Sequence, residues 1–140
     1  MQMQPATYRI FYQSHALTIT YEEELGLGRA TWQGKLSSHE MREALLLCMH
    51  AIEMYELKYW LADNRKLKYI PEEDQQWIKD HVVPTLVMGP LLKVATLLSE
   101  DVKSAEAVHL IYEGATETGH LQMQDFNREE EALQWLLSEA

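Results

Sequence analysis

The sequence predicts an α/β protein, with a mixed central sheet of about six strands and helices packed on it. Three observations carry that expectation. Residues 8–34 hold three β-like segments separated by turn residues. After them, stretches with helical apolar spacing alternate with short apolar runs. Two of those runs, Tyr59 to Ala62 and Lys93 to Ser99, show no alternation, as expected for strands covered on both faces. A meander followed by alternating helices and strands gives the order βββ-α-β-α-β-α-β-α. With 140 residues, the chain fits one domain, 1–140, with one core.

Each element has a local justification. Tyr8 to Tyr12 is aromatic and β-branched and reads as a short strand. After a turn near Ser14, Leu17, Ile19 and Tyr21 alternate with Thr18, Thr20 and Glu22, the pattern of a half-exposed strand. Gly26-Leu27-Gly28 is expected to form a hairpin turn, with Arg29 to Gly34 as the return strand. Two glycines without a third and without a following helix exclude a phosphate loop. Ser37 with Glu40 fits a capping box, and Met41, Ala44, Leu45, Cys48, Ile52 and Tyr55 then mark one buried helix face. Leu46 and Met49 fall outside that face. Pro71 suits a helix start, with Glu72, Glu73 and Asp74 at its positive end. Pro84 is expected to kink or interrupt that helix, and Gly89-Pro90 to stop it. Ser99 is expected to cap a helix containing Val102, Ala105, Val108 and Ile111. His120 to Asp125 alternates like a strand near a sheet edge, and Asn127 with Glu130 reads as a second capping box, opening a helix through Trp135 and Leu136.

Composition narrows the function classes. Net charge is −10, from 22 acidic and 12 basic residues. The only basic concentration is Arg65, Lys66 and Lys68, which argues against nucleic acid and anionic membrane surfaces as partners. Cys48 is the single cysteine, so no internal disulfide can form, and its helical setting marks a small buried hydrophobe. No apolar run approaches the length of a membrane span, and MQMQPATYRI lacks the basic-then-apolar pattern of a signal peptide. A reducing cytoplasm is the expected location. The six histidines are dispersed without HExxH or paired-cysteine spacing, so no metal and no cofactor is expected. No GxSxG or Cys-His signature supports nucleophilic catalysis.

The ordered motifs resemble those of the SpoIIAA-like family, in the wider group of STAS and Sec14-type domains. The carrying residues are Trp32-Gln33-Gly34, Trp60-Leu61-Ala62-Asp63, Asp74-Gln75-Gln76-Trp77, Lys93-Val94-Ala95, and Phe126 with Ala132, Trp135 and Leu136. The resemblance implies a bacterial binding or regulatory module in signal transduction, with no established catalytic role for the family as a whole. Anti-sigma-factor antagonists of this group carry an Asp-Ser-Ser-Gly stretch with a phosphorylated serine at the start of the second helix. Here the matching stretch is Pro71-Glu72-Glu73-Asp74, which offers no hydroxyl. Glu72 and Glu73 therefore mark a degenerate phosphorylation-site region. They read either as mimics of a phosphate or as plain helix N-terminal charges.

The candidate site follows from the strand ends. In open α/β sheets, ligands bind beyond the carboxyl ends of parallel strands. Asp63-Asn64-Arg65 and Ser99-Glu100-Asp101 occupy two such ends. Asp63, Asn64, Arg65, Ser99 and Asp101 are thus candidate ligand-binding residues, with Arg65 suited to an anionic group and Asp63 to a proton. The competing reading makes Asp63 and Ser99 backbone caps and Arg65 the partner of a surface acid. Trp32, Trp60, Trp77 and Trp135 either fill the core or line an apolar ligand cavity. Two function classes result: a non-enzymatic partner-binding module, or a binder of a small apolar or anionic ligand. The uncovered Leu46 and an open edge strand add the expectation of a twofold homodimer.

Overall fold

A computed structural model of the chain describes residues 8–115 and 120–138. Residues 1–7, part of the stretch read for a signal segment, lie outside the described residues. The strands are β1 (Arg9–Gln13), β2 (Leu17–Glu22), β3 (Leu27–Gly34), β4 (Tyr59–Leu67), β5 (Lys93–Leu97) and β6 (Gln122–Phe126). The helices are α1 (Ser38–Met54), α2 (Glu72–His81), α3 (Val83–Met88), α4 (Val102–Tyr112) and α5 (Glu129–Leu137). The sheet runs in chain order from β1 to β6, antiparallel from β1 to β3 and parallel from β3 to β6. This is the mixed α/β sheet expected from the sequence.

The topology decides which face each helix covers. Right-handed crossovers that always step in one direction along a sheet put their helices on one face. The core on that face therefore joins α1, α2 and α4 to Ile19, Trp32, Trp60 and Val94. Helix α5 follows the last strand and makes no crossover, so it is free to take the other face. There Ala132 and Leu136 pack on Leu27, Leu61, Ala95 and Leu97. Strand β5 is covered on both sides and is buried at every residue, whereas β2 alternates. Among the described residues, no helix is long and apolar enough to cross a membrane.

Helix α1 begins as its sequence predicts. Ser37 Oγ accepts from Glu40 N–H at 3.2 Å, and Glu40 Oε1 accepts from Ser37 N–H at 2.9 Å. The helix ends without glycine: Glu56 takes φ +48° while Leu57 N–H donates to Ile52 O at 3.0 Å. That pattern is a Schellman closure, in which fully buried Leu57 anchors the turn. Tyr55 is half-buried, Leu46 is exposed, and Met49 packs against the core rather than outside it.

Several local expectations need correction. Gly28 is not in the hairpin turn but in β3, opposite Trp60. A Cβ there would sit 2.5 Å from the Trp60 ring, so the glycine makes room for the indole. Strand β4 does not stop at Ala62 but continues to Leu67 along β3. The expected interruption by Pro84 does occur: the helix after Pro71 breaks into α2 and α3 at Val82, because Pro84 in the first turn of α3 has no N–H to continue the ladder. Asp101, not Ser99, is the N-cap of α4, its side chain accepting from Lys103 N–H at 3.0 Å. The N-cap of α5 is Arg128 without a side-chain cap, so the Asn127–Glu130 box does not form.

Candidate functional site

Beside the start of α5 lies a closed set of charges. In the parallel register, Leu27 and Arg29 of β3 stand alongside Tyr59 and Leu61 of β4, which brings Arg29 and Asp63 to the face that α5 covers. Asp63 is buried. Arg65 donates to it through Nε at 2.9 Å and Nη2 at 2.8 Å, a bidentate grip. Arg29 Nη2 donates to Asp63 Oδ2 at 2.9 Å. Glu129, in the first turn of α5, accepts from Arg29 at 2.9 and 3.1 Å and from Arg65 at 3.3 Å. Two guanidiniums and two carboxylates thus balance.

The balance sets their protonation. Burial pushes the Asp63 carboxyl up, but hydrogen bonds from Arg65 and Arg29 outweigh it and hold Asp63 below its ordinary value. The Arg29 hydrogen bond likewise holds Glu129 low against its own burial. Asp63 is therefore ionised at neutral pH and does not resemble a general base poised near 7. The Arg65 fork is occupied by Asp63 and, more weakly, by Glu129.

Strand alternation puts Asp63 and Arg65 on one face and Asn64 on the other. Thr31 pairs with Asp63, but Gln33 pairs with Lys66, so β4 carries one extra residue between them. The bulge takes effect beyond Arg65: alternation alone would keep Leu67 on the Asp63 face, yet Leu67 lines the cavity on the opposite one. Asn64 is left pointing through the sheet, where it lines a cavity under the helices on the far side. Ser99 and Asp101 do not join the charge set. Ser99 Oγ donates to Leu67 O at 2.7 Å and accepts from Asp101 N–H at 3.0 Å, tying the loop after β5 to β4. The five candidate residues therefore divide among three environments.

Arg29 and Glu129 were not among the residues singled out from the sequence. Arg29 and Glu129 are 100 positions apart, and only the sheet register brings them together. Lys93, read from the sequence only as part of a strand motif, also makes long-range bonds. Its buried ammonium donates to Trp135 O at 2.9 Å and to Ser138 O and Oγ at 3.1 Å, and lies 5.3 Å from the Trp135 ring centroid. Lysine at a helix C-terminus both fills orphan carbonyls and complements the dipole.

The degenerate phosphorylation-site region is split as well. Glu72 and Glu73 are exposed, whereas Asp74 is fully buried. Ser38 Oγ donates to Asp74 at 2.8 Å and Arg42 Nε at 3.3 Å, so Asp74 fastens α2 to α1. Arg42 also lies over the Trp77 ring, 5.1 Å from its centroid. Between α2 and α4 an open groove of about 580 Å3 is lined by Tyr69, Glu72, Gln75, Lys103, Ala107 and Leu110. Leu110 is 53% exposed, and Glu106 also lines the groove.

The four tryptophans do not share one cavity: Trp32 and Trp60 line the far-side cavity, while Trp135, on α5, packs on the opposite face of the sheet. Among the described residues, no group of three or more His, Cys, Asp or Glu side chains could hold a metal ion. No protein-family model, curated protein or solved structure matches this chain.

Proposed function

We propose that the chain is a non-enzymatic regulatory module of the SpoIIAA-like type that binds a protein partner and lacks the phosphorylatable serine. The observation that carries this reading is the α2–α4 groove beside Glu72 and Glu73. It joins an exposed apolar wall, Tyr69 and Leu110, to acids that stay in solvent. Its partner offers an apolar side chain to that wall and a basic group to Glu72 and Glu73. The βββ-α-β order and the acids standing where the family's switch lies support the reading further. The alternative, a small anionic ligand at Asp63, Arg65 and Ser99, has less support, because Asp63 already occupies the Arg65 fork and Ser99 bonds backbone.

Native mass spectrometry of protein gently purified from its own host tests the proposal. The expected result is a stoichiometric protein partner that Leu110→Glu releases while melting stays cooperative. Recovery of the chain without a partner sinks the reading, and a partner retained by Leu110→Glu sinks the groove. A twofold homodimer belongs to the same proposal, with exposed Leu46 as its tested face. Light scattering over a dilution series should show a dimer that Leu46→Glu shifts towards monomer. A constant monomer mass at high micromolar concentration rules it out.

A further inference from the structure

Between the sheet and helices α1, α2, α3 and α4 lies an internal cavity of about 70 Å3. Trp32 and Trp60 form its sheet side, and Leu45, Ile52 and Ile111 face them from the helices. Into this apolar wall β4 turns Asn64, on the same strand face as Trp60 and Ala62. The residue is 5% exposed, yet its Oδ1 has no hydrogen-bond partner. Buried acceptors are nearly always paired, so an orphaned amide oxygen on a cavity wall points to a missing donor.

The cavity fixes the chemistry of that donor. Its volume is several times the roughly 10–15 Å3 that one water needs, and about half of the ~150 Å3 that admits benzene. A molecule of about three to five non-hydrogen atoms fits. Asn64, Thr96 and Tyr112 are polar groups on walls that are otherwise mostly apolar, enough to hold one water but not to fill the space with several. Cys48 and Tyr112 also line the cavity, and burial pushes both of their pKa values up, so neither brings a charge at neutral pH. A charged guest would lose its hydration without compensation. A hydroxyl meets the amide in either sense, donating to Oδ1 or accepting from Nδ2. Entry has a route: α3 has no buried residue of its own, and its Leu86 is part of the cavity wall.

We propose that this cavity binds a small neutral molecule with an apolar body and one hydroxyl, the hydroxyl meeting the side-chain amide of Asn64. The site lies on the opposite face of the sheet from Asp63 and Arg65 and is independent of the α2–α4 groove.

Methyl-labelled protein titrated with 1-propanol tests this by NMR. The expected result is saturable shifts centred on the methyls of Leu45, Ile52 and Ile111. Asn64→Leu keeps the shape and removes the amide. It should weaken propanol at least tenfold, while xenon, which needs no hydrogen bond, still shifts the same methyls. Propanol shifts that do not saturate, that fall elsewhere, or that are equally strong in Asn64→Leu overturn the proposal. So do water–methyl NOEs from the cavity that persist unchanged at high propanol. Should Asn64→Leu not fold, Ala62→Ile fills the cavity from the same strand. It should also weaken propanol at least tenfold, and an unchanged affinity there refutes the site.

Discussion

Helix α5 and the four helices opposite it are held to the sheet by different means. Helix α5 has nine residues and buries only Ala132 and Leu136 fully. Strand side chains grip it at both ends: Arg29 and Arg65 hold Glu129 at its start, and Lys93 holds Trp135 O and Ser138 at its finish. Cations near the last carbonyls and an acid in the first turn both complement the helix dipole. On the other face, α1 alone buries six residues, and the neighbouring helices add Ile78, Val82, Ala107 and Ile111. That face has apolar area to spare and encloses a void beside an unpaired amide. A short lone helix needs polar fastening, whereas a broad helical layer tolerates imperfect packing.

The largest expected effect breaks the α5 face at its centre. Leu61 is 1% exposed between β4 and α5. Leu61→Asp places an unpaired carboxylate in apolar surroundings, and no other helix can compensate there. The protein should fail to fold, seen as loss of a cooperative melting transition. A soluble, cooperatively melting variant would refute this placement.

The next effect probes the tolerance of the other face. Gly28→Ala drives a methyl into the Trp60 ring and into Leu57 Cδ1, 2.7 Å from an ideal Cβ. Overpacking of this kind costs about 1–3 kcal/mol. Trp60 borders the cavity, so its ring has space to yield, and the lower half of that range is expected in urea unfolding. A cost above about 3 kcal/mol would mean that the far face is packed as rigidly as a tight core.

A smaller effect is expected at the charge set. Asp63→Asn leaves two guanidiniums with Glu129 alone. Loss of a buried charged acceptor costs about 1–3 kcal/mol, and the low end applies because Arg29 and Arg65 remain partly exposed. The pH dependence has a definite sign. Asp63 and Glu129 titrate lower folded than unfolded. Their stabilisation is therefore complete above the unfolded values near pH 4 and is lost as pH falls through the lower folded ones. Acid unfolding of the wild type should steepen below about pH 4, and Asp63→Asn should flatten that limb. Parallel acid limbs would show that the network adds nothing to folding.

Local features of both faces were legible in the sequence, and contacts between distant residues were not, for physical reasons. The unalternating run at Lys93–Leu97 announced a strand covered on both faces, and Ser37 with Glu40 announced the start of α1. Those signals are local. The charge set is not: Arg29 sits in a strand like any outward polar residue until the register places it beside Asp63. The bulge that sends Leu67 to the face opposite Asp63 and Arg65 has no sequence mark of its own. The cap at Asn127 failed for a related reason. Helix α5 begins at Glu129, where that carboxylate meets the two arginines, and the tertiary ion pairs override the local capping pattern.

The smallest effect concerns Glu72 and Glu73, which differ from Asp74 within one helical turn. Both stand exposed at the start of α2, while the adjacent Asp74 is fully buried against Ser38 and Arg42. Of these three acids, Asp74 is the one fastened to α1, so the two glutamates contribute through the helix dipole alone. Exposed acids there are worth about 0.3–1 kcal/mol each, less at high salt. Glu72→Gln with Glu73→Gln should therefore shift the unfolding midpoint only slightly, and the shift should shrink as salt is raised. If that pair of changes instead removed the partner seen by native mass spectrometry while the midpoint held, the acids would be acting as a fixed substitute for the phosphate. A large loss of stability would contradict the division of labour between the exposed pair and Asp74. The measurement thus separates a helix-end charge, which salt screens, from a recognition charge, whose removal leaves the fold intact and the complex undone.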